Sequence, residues 1–101
     1  MNGNNNKHQP VLLEEAIDAL SIRPDGYYID GTFGRGGHSK AILKALGPQG
    51  RLLAFDKDPM AMACAEEIKD ERFFFHRGSF CDLEAQIHAL EWHEKIDGIF
   101  D

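Results

Sequence analysis

Cysteine, tryptophan and long apolar stretches are all scarce in this chain, which holds two Cys and one Trp in 101 residues. Cys64 and Cys81 match no metal-ligand or redox spacing, which argues for reduced thiols in a cytoplasmic protein. No apolar run approaches the roughly 20 residues that cross a bilayer, so no membrane partner is expected. The opening Met1-Asn2-Gly3-Asn4-Asn5-Asn6-Lys7 lacks the apolar centre of a secretory leader. Positive charge is also short, with 11 Lys/Arg against 17 Asp/Glu for a net −6. An acidic balance argues against this stretch alone holding nucleic acid by neutralising phosphates. The deficit is uneven: seven basic against six acidic side chains through Lys57, then four against eleven from Asp58 onward. An anionic partner is tolerated only by the first half.

What is present is an apolar lead, Tyr27-Tyr28-Ile29, then Asp30, then four glycines within seven residues (Gly31, Gly34, Gly36, Gly37). A helical pattern follows from His38. A strand that breaks into a glycine turn and re-emerges as a helix brings bare backbone up to a nucleotide-like ligand. Glycine permits φ > 0 and removes the Cβ that blocks close approach.

The remaining residues supply the frame. Residues 1–9 read as a disordered tail, and Pro10 opens a helix carried by Leu13, Ala16, Ile17 and Leu20. That helix stops before the turn Pro24-Asp25-Gly26. Tyr27–Ile29 is the first strand and His38–Leu46 the next helix, closed by Gly47-Pro48 in the usual C-terminal manner. Arg51–Phe55 is a second strand, Asp58-Pro59 a cap and first helical position, and the helix behind it runs to about Ile68. Phe73–His76 is a third strand. Ser79–Asp82 is a capping-box-like start to a helix over Leu83–Leu90, and Ile96–Phe100 is a fourth strand. Alternating strands and helices predict an α/β fold with a mostly parallel sheet, whose ligand loops gather at the strand carboxyl ends. With nothing after the fourth strand the sheet is incomplete, and residues 10–101 read as the N-terminal part of a larger domain, inactive by itself.

Three acids stand at successive strand ends. For S-adenosyl-L-methionine as ligand, Asp30 would meet the methionine ammonium, directly or through water. Asp56, twenty-two residues past Gly34, would accept from both ribose hydroxyls, a task suited to an acceptor-only carboxylate. Phe80 would lie flat on the adenine, and Gly36, Gly37 and His38 would offer backbone N–H groups. A nicotinamide cofactor competes, because Gly34-Arg35-Gly36-Gly37-His38-Ser39 is close to its G-x-G-x-x-G/A fingerprint. Asp30 favours a cationic ligand over a diphosphate. Plainer roles stand beside these: turn chemistry for Asp56, core packing for Phe80, a helix start for His38. Met60, Met62 and Cys64 read as helix packing, and the run Glu66-Glu67 with Asp70-Glu71 as a solvated face. His76, His88 and His93 share no metal spacing, and residues 88 and 93 do not share a helix face, so no metal is expected.

Four segments together resemble one family: His8–Ala16, Ile22–Gly26, Tyr28–Ser39 with its Asp-Gly-Thr-Phe-Gly-Arg-Gly-Gly-His-Ser string, and Gly50–Pro59. They are similar to the start of the bacterial 16S ribosomal RNA (cytosine-N4)-methyltransferases (the RsmH family, formerly MraW), over nearly the whole chain past the tail. The resemblance implies a Rossmann-like class I methyltransferase fold with a helical insertion beyond these residues. It implies methyl transfer from S-adenosyl-L-methionine to N4 of a decoding-centre cytosine of 16S rRNA in the small ribosomal subunit, within the cytoplasm. It implies cofactor contacts at Gly36, Gly37, His38, Asp56 and Phe80, and names no catalytic residue. The chain departs from the family after the fourth strand. The family pattern there, Asp-Gly-Ile-Leu-Leu-Asp, leaves three residues between the glycine and a cofactor-contacting acid, whereas Gly98-Ile99-Phe100-Asp101 leaves two. Asp101 is therefore either that acid displaced by one place or a residue unrelated to it. A one-residue slip turns a strand side chain to the opposite face. A cofactor-binding fragment without chemistry is the remaining alternative.

Overall fold

A computed structural model of the chain describes residues 21–100. The expected tail and leading helix, and Asp101, lie outside the described residues. Strands β1 (Tyr27–Asp30), β2 (Arg51–Asp56), β3 (Phe73–Arg77) and β4 (Ile96–Phe100) form one parallel sheet in the order β3-β2-β1-β4. Helices α1 (Gly37–Ala45), α2 (Pro59–Glu66) and α3 (Leu83–Leu90) fill the crossovers, with a 3-10 turn over Phe80–Asp82 ahead of α3. The chain steps outward from β1 through β2 to β3, then returns to place β4 on the other side of β1. The strand order therefore reverses between β1 and β4, the place where open parallel sheets form a ligand crevice at their carboxyl ends. This is the Rossmann-like α/β architecture that the sequence implies.

The two inner strands are buried on both faces, which is why they read as unbroken apolar runs rather than alternating ones. On one face Tyr28 and Leu52 pack with Ile42, Leu43 and Leu46 of α1. The same face continues through Ala54 and Phe33 to Ala61 and Ala65 of α2. On the other face Ile29, Leu53 and Phe55 pack with Trp92, backed by Leu83, Ile87 and Leu90 of α3. Asp58 caps α2, its carboxylate accepting from the Met60 N–H at 2.9 Å, with Pro59 at the first helical position.

Several local expectations change. The helix α2 ends at Glu66, short of Ile68. It faces the sheet through two alanines one turn apart, so Met60 and Met62 stand at 64% and 39% exposure instead of packing inside. The helix α1 ends with Leu46 in an extended conformation, and no left-handed glycine closes it. Gly47 instead passes close over Pro24, donating to its carbonyl at 2.7 Å. Ser79 caps the 3-10 turn by accepting from Cys81 N–H at 3.2 Å. Asp82 does not complete the box, because its carboxylate goes to His76 at 2.9 Å. Between β1 and β4 the pairing jumps from Tyr27–Ile96 to Tyr28–Gly98, leaving Asp97 as a bulge. Its carboxylate accepts from the Tyr27 N–H at 2.9 Å and from the Arg23 guanidinium at 3.4 Å, which holds the bulge in place.

Leu52 has no exposed surface and lies at the centre of the α1 face. Its replacement by alanine is expected to destabilise the fold by about 2–5 kcal/mol. Urea unfolding of Leu52→Ala checks this through a lowered midpoint at unchanged slope.

Candidate functional site

The turn after β1 is built from inside outward. Asp30 ends the strand at 1% exposure. One carboxylate oxygen accepts from the Thr32 N–H at 3.1 Å and the other from the Ser39 hydroxyl at 2.8 Å. A buried carboxylate is tolerated only when such donors replace its water. Both oxygens of Asp30, expected to meet a ligand ammonium directly or through water, are thus engaged by its own turn. The side chain is enclosed by its own turn and joins β1 to the first turn of α1.

Phe33 forms the floor. It is 2% exposed, donates its N–H to the Phe55 carbonyl at 3.0 Å, and sets its ring edge-on to Phe75 at 5.3 Å. Gly36 passes directly over that ring with φ 92°, and an added Cβ would approach the ring to 2.9 Å, so glycine is required twice over. Gly34, at φ 59°, has nothing within 4 Å of where a Cβ would stand, which leaves open space above the turn. Gly36 caps α1, Gly37 is its first residue, and His38 follows with an exposed side chain. The N–H groups of this first turn have no intrahelical acceptors and carry the positive end of the helix dipole.

Asp56 ends β2 and reaches across to the turn. One oxygen accepts from Gly34 N–H at 2.8 Å and the other from Asp58 N–H at 3.0 Å. Its own carbonyl accepts from Gly78 N–H at 2.9 Å, so the loops after β1, β2 and β3 all meet at this residue. The Asp58 N–H holds the Asp56 carboxyl below the ordinary aspartate range; partial burial opposes that, and the Gly34 and Lys57 N–H groups reinforce it. The result is an ionised, partly exposed acceptor beside open space. The turn reading of the residue is realised, and the same carboxylate also joins the glycine loop to the end of β2.

Phe80 opens the 3-10 turn past β3. Its ring is 37% exposed and edge-on to Phe55 at 5.9 Å, leaving an apolar surface at the same end of the sheet. The His76–Asp82 pair at 2.9 Å closes the base of that turn. Gly36, Gly37, His38, Asp56 and Phe80 thus all lie toward the carboxyl ends of the strands, Asp56 as the last residue of β2 and the others at the helix starts that follow β1 and β3. Asp101 lies outside the described residues, one place beyond Phe100, which pairs with Asp30. Ser39 and Phe33 were missed as structural parts of the site. Their signal was available, as a hydroxyl nine residues from the strand-end acid and an aromatic residue inside a glycine run.

His88 and His93, which do not share a helix face, nevertheless meet. Helix α3 stops at Leu90, and Glu91 at φ 61° turns the chain back, so that His88 Nδ1 and His93 Nε2 come within 3.0 Å. Among the described residues no group of three or more His, Cys, Asp or Glu converges as a metal cluster, and no helix is long and apolar enough to cross a membrane.

The sequence model of one protein family, described as the MraW methylase family, matches residues 5–101.

Because the folded-state pKa of Asp56 is depressed, its stabilising contribution is complete above the unfolded-state pKa and is lost as pH falls through the folded value. Wild type is therefore expected to exceed Asp56→Asn in unfolding free energy at pH 6, with the gap narrowing by pH 3. Urea titrations at both values test this; a gap independent of pH contradicts it.

Proposed function

The chain belongs to the MraW methylase family, and from this premise we propose that the full-length enzyme carrying these residues transfers the methyl group of S-adenosyl-L-methionine to N4 of a cytosine in the decoding centre of small-subunit 16S rRNA. The observation that carries the cofactor assignment is the Asp56 carboxylate, held ionised at the end of β2 and in contact with the glycine turn at 2.8 Å. An acceptor-only group at that position suits a ribose diol, which presents two donors. The residues fit the rest of the cofactor: the open space over Gly34 admits backbone contact, and the exposed Phe80 ring is an apolar platform for adenine. Beneath it Gly37 and His38 contribute N–H groups without intrahelical acceptors, while the Gly36 N–H donates to the Phe33 carbonyl at 2.8 Å and shapes the turn.

Bound in this way, the cofactor supplies an electrophilic methyl group on a sulfonium. The exocyclic amine of cytosine is a weak nucleophile because its lone pair is delocalised into the ring. The contribution of the chain is then chiefly positional: the braced turn and the Asp56 clamp fix the donor so that alignment is not sought anew at each encounter. The cytosine must leave its stack to reach such a site. The charge distribution supports the same arrangement, since the excess of acid begins only after the glycine half of the chain. Membership in a methylase family favours the sulfonium donor over the nicotinamide reading.

Calorimetric titration is expected to show binding of S-adenosyl-L-methionine and none of NAD. Asp56→Ala is expected to weaken the former by about ten- to a hundred-fold, as loss of one or two hydrogen bonds to a charged group implies. Incubation of a full-length family enzyme carrying these residues with tritiated cofactor and unmethylated small ribosomal subunits is expected to label N4-methylcytidine. Label on another nucleoside refutes the substrate assignment, and NAD binding or an unaffected Asp56→Ala refutes the cofactor site.

A further inference from the structure

We infer that the His88/His93 pair is a binding site for a late first-row divalent ion such as Zn²⁺, Ni²⁺ or Cu²⁺, separate from the methyl-transfer site. Nδ1 of one ring and Nε2 of the other stand 3.0 Å apart, with ring planes at 74° and centroids at 5.1 Å. A metal bound at about 2.0–2.1 Å by two imidazole nitrogens holds them about 2.9 Å apart at a right angle and about 3.3 Å apart at the tetrahedral angle. The observed spacing already falls in that range. Neutral imidazole is a ligand of choice for these ions.

The backbone brings the two residues together, and their rings meet in a side-chain hydrogen bond. Past Leu90 the helix closes with Glu91 in the left-handed region, its N–H donating to the His88 carbonyl at 3.1 Å, and Trp92 N–H donating to the Ile87 carbonyl at 2.9 Å. Trp92 is buried to 5% exposure, its ring edge-on to Tyr27 at 4.9 Å and to Phe74 at 5.5 Å. The next residue, His93, is thereby returned over the last turn of α3. Both rings are exposed and border a surface cavity also lined by Glu84, one turn before His88. Glu84 adds negative charge on the same wall without completing a three-ligand cluster, so water fills the remaining positions and the affinity is modest. The site sits just ahead of Ile96, at the amino end of β4, whereas the glycine turn is at the carboxyl ends of the strands. Its existence does not depend on the cofactor assignment.

Isothermal titration of the untagged chain with ZnCl₂ and with NiCl₂ is the test, repeated on His88→Gln and His93→Gln. The expected result is one saturable site in the micromolar range, weakened at least about ten-fold by either substitution. A second readout is the melting temperature, which rises with metal in the wild type and stays level in both variants. Absence of saturable binding below roughly 1 mM overturns the proposal. So does undiminished affinity in either variant, which places the ion elsewhere.

Discussion

The glycine turn holds its shape because a carboxylate is buried beneath it and has somewhere to put its charge. Asp30 stands at the end of the central strand with almost no accessible surface, and its oxygens are taken by the Thr32 N–H and the Ser39 hydroxyl. Removing either donor would leave a buried acceptor unpaired, which costs more than the bond itself contributes in net stability. The brace joins β1 to the first turn of α1 and so sets how far the intervening glycines must travel. The positive φ of Gly34 and Gly36, the placement of Phe33 as a floor, and the open space above Gly34 follow from that fixed span.

Asp56 performs the outward half of the same arrangement. Two strand-end acids of the same kind are divided by environment alone. Asp30 lies on β1, covered by α1, and is enclosed; Asp56 lies at the end of β2, where the chain turns away, and stays partly open. Backbone N–H groups, with a smaller contribution from the Lys57 charge, keep Asp56 ionised. Arg72 and Asp70 work differently and far from the crevice. Their paired side chains meet at 2.6 Å, and the same guanidinium donates to the Leu46 carbonyl at 2.8 Å, which fastens the start of β3 to the end of α1.

Much of the architecture was legible because it rests on local chemistry. The Asp58-Pro59 cap, the β-α alternation and the glycine turn each follow from a few adjacent residues, and each stands in the structure as read. The boundaries that moved are those decided by a distant partner. Gly47 suggested a left-handed helix end, yet its smallness serves Pro24, more than twenty residues earlier in the chain. Met60 and Met62 have the composition of core residues, yet α2 meets the sheet through Ala61 and Ala65 with Cys64 beside them, and the two methionines fall outside that face. Asp82 has the spacing of a capping-box partner, yet His76 competes for its carboxylate.

Residue order alone settled that this chain alternates strand and helix, that a bare-backbone turn follows the first strand, and that acids sit at strand ends. Those are consequences of backbone propensity and hydrophobic period, which act within a few residues. Tertiary packing decided which acid is enclosed and which is open, that Asp97 bulges from β4, and that His88 and His93 meet. Each of these depends on which surfaces cover one another. That is set by the burial of both faces of β1 and β2 and cannot be assigned to any short stretch of the chain.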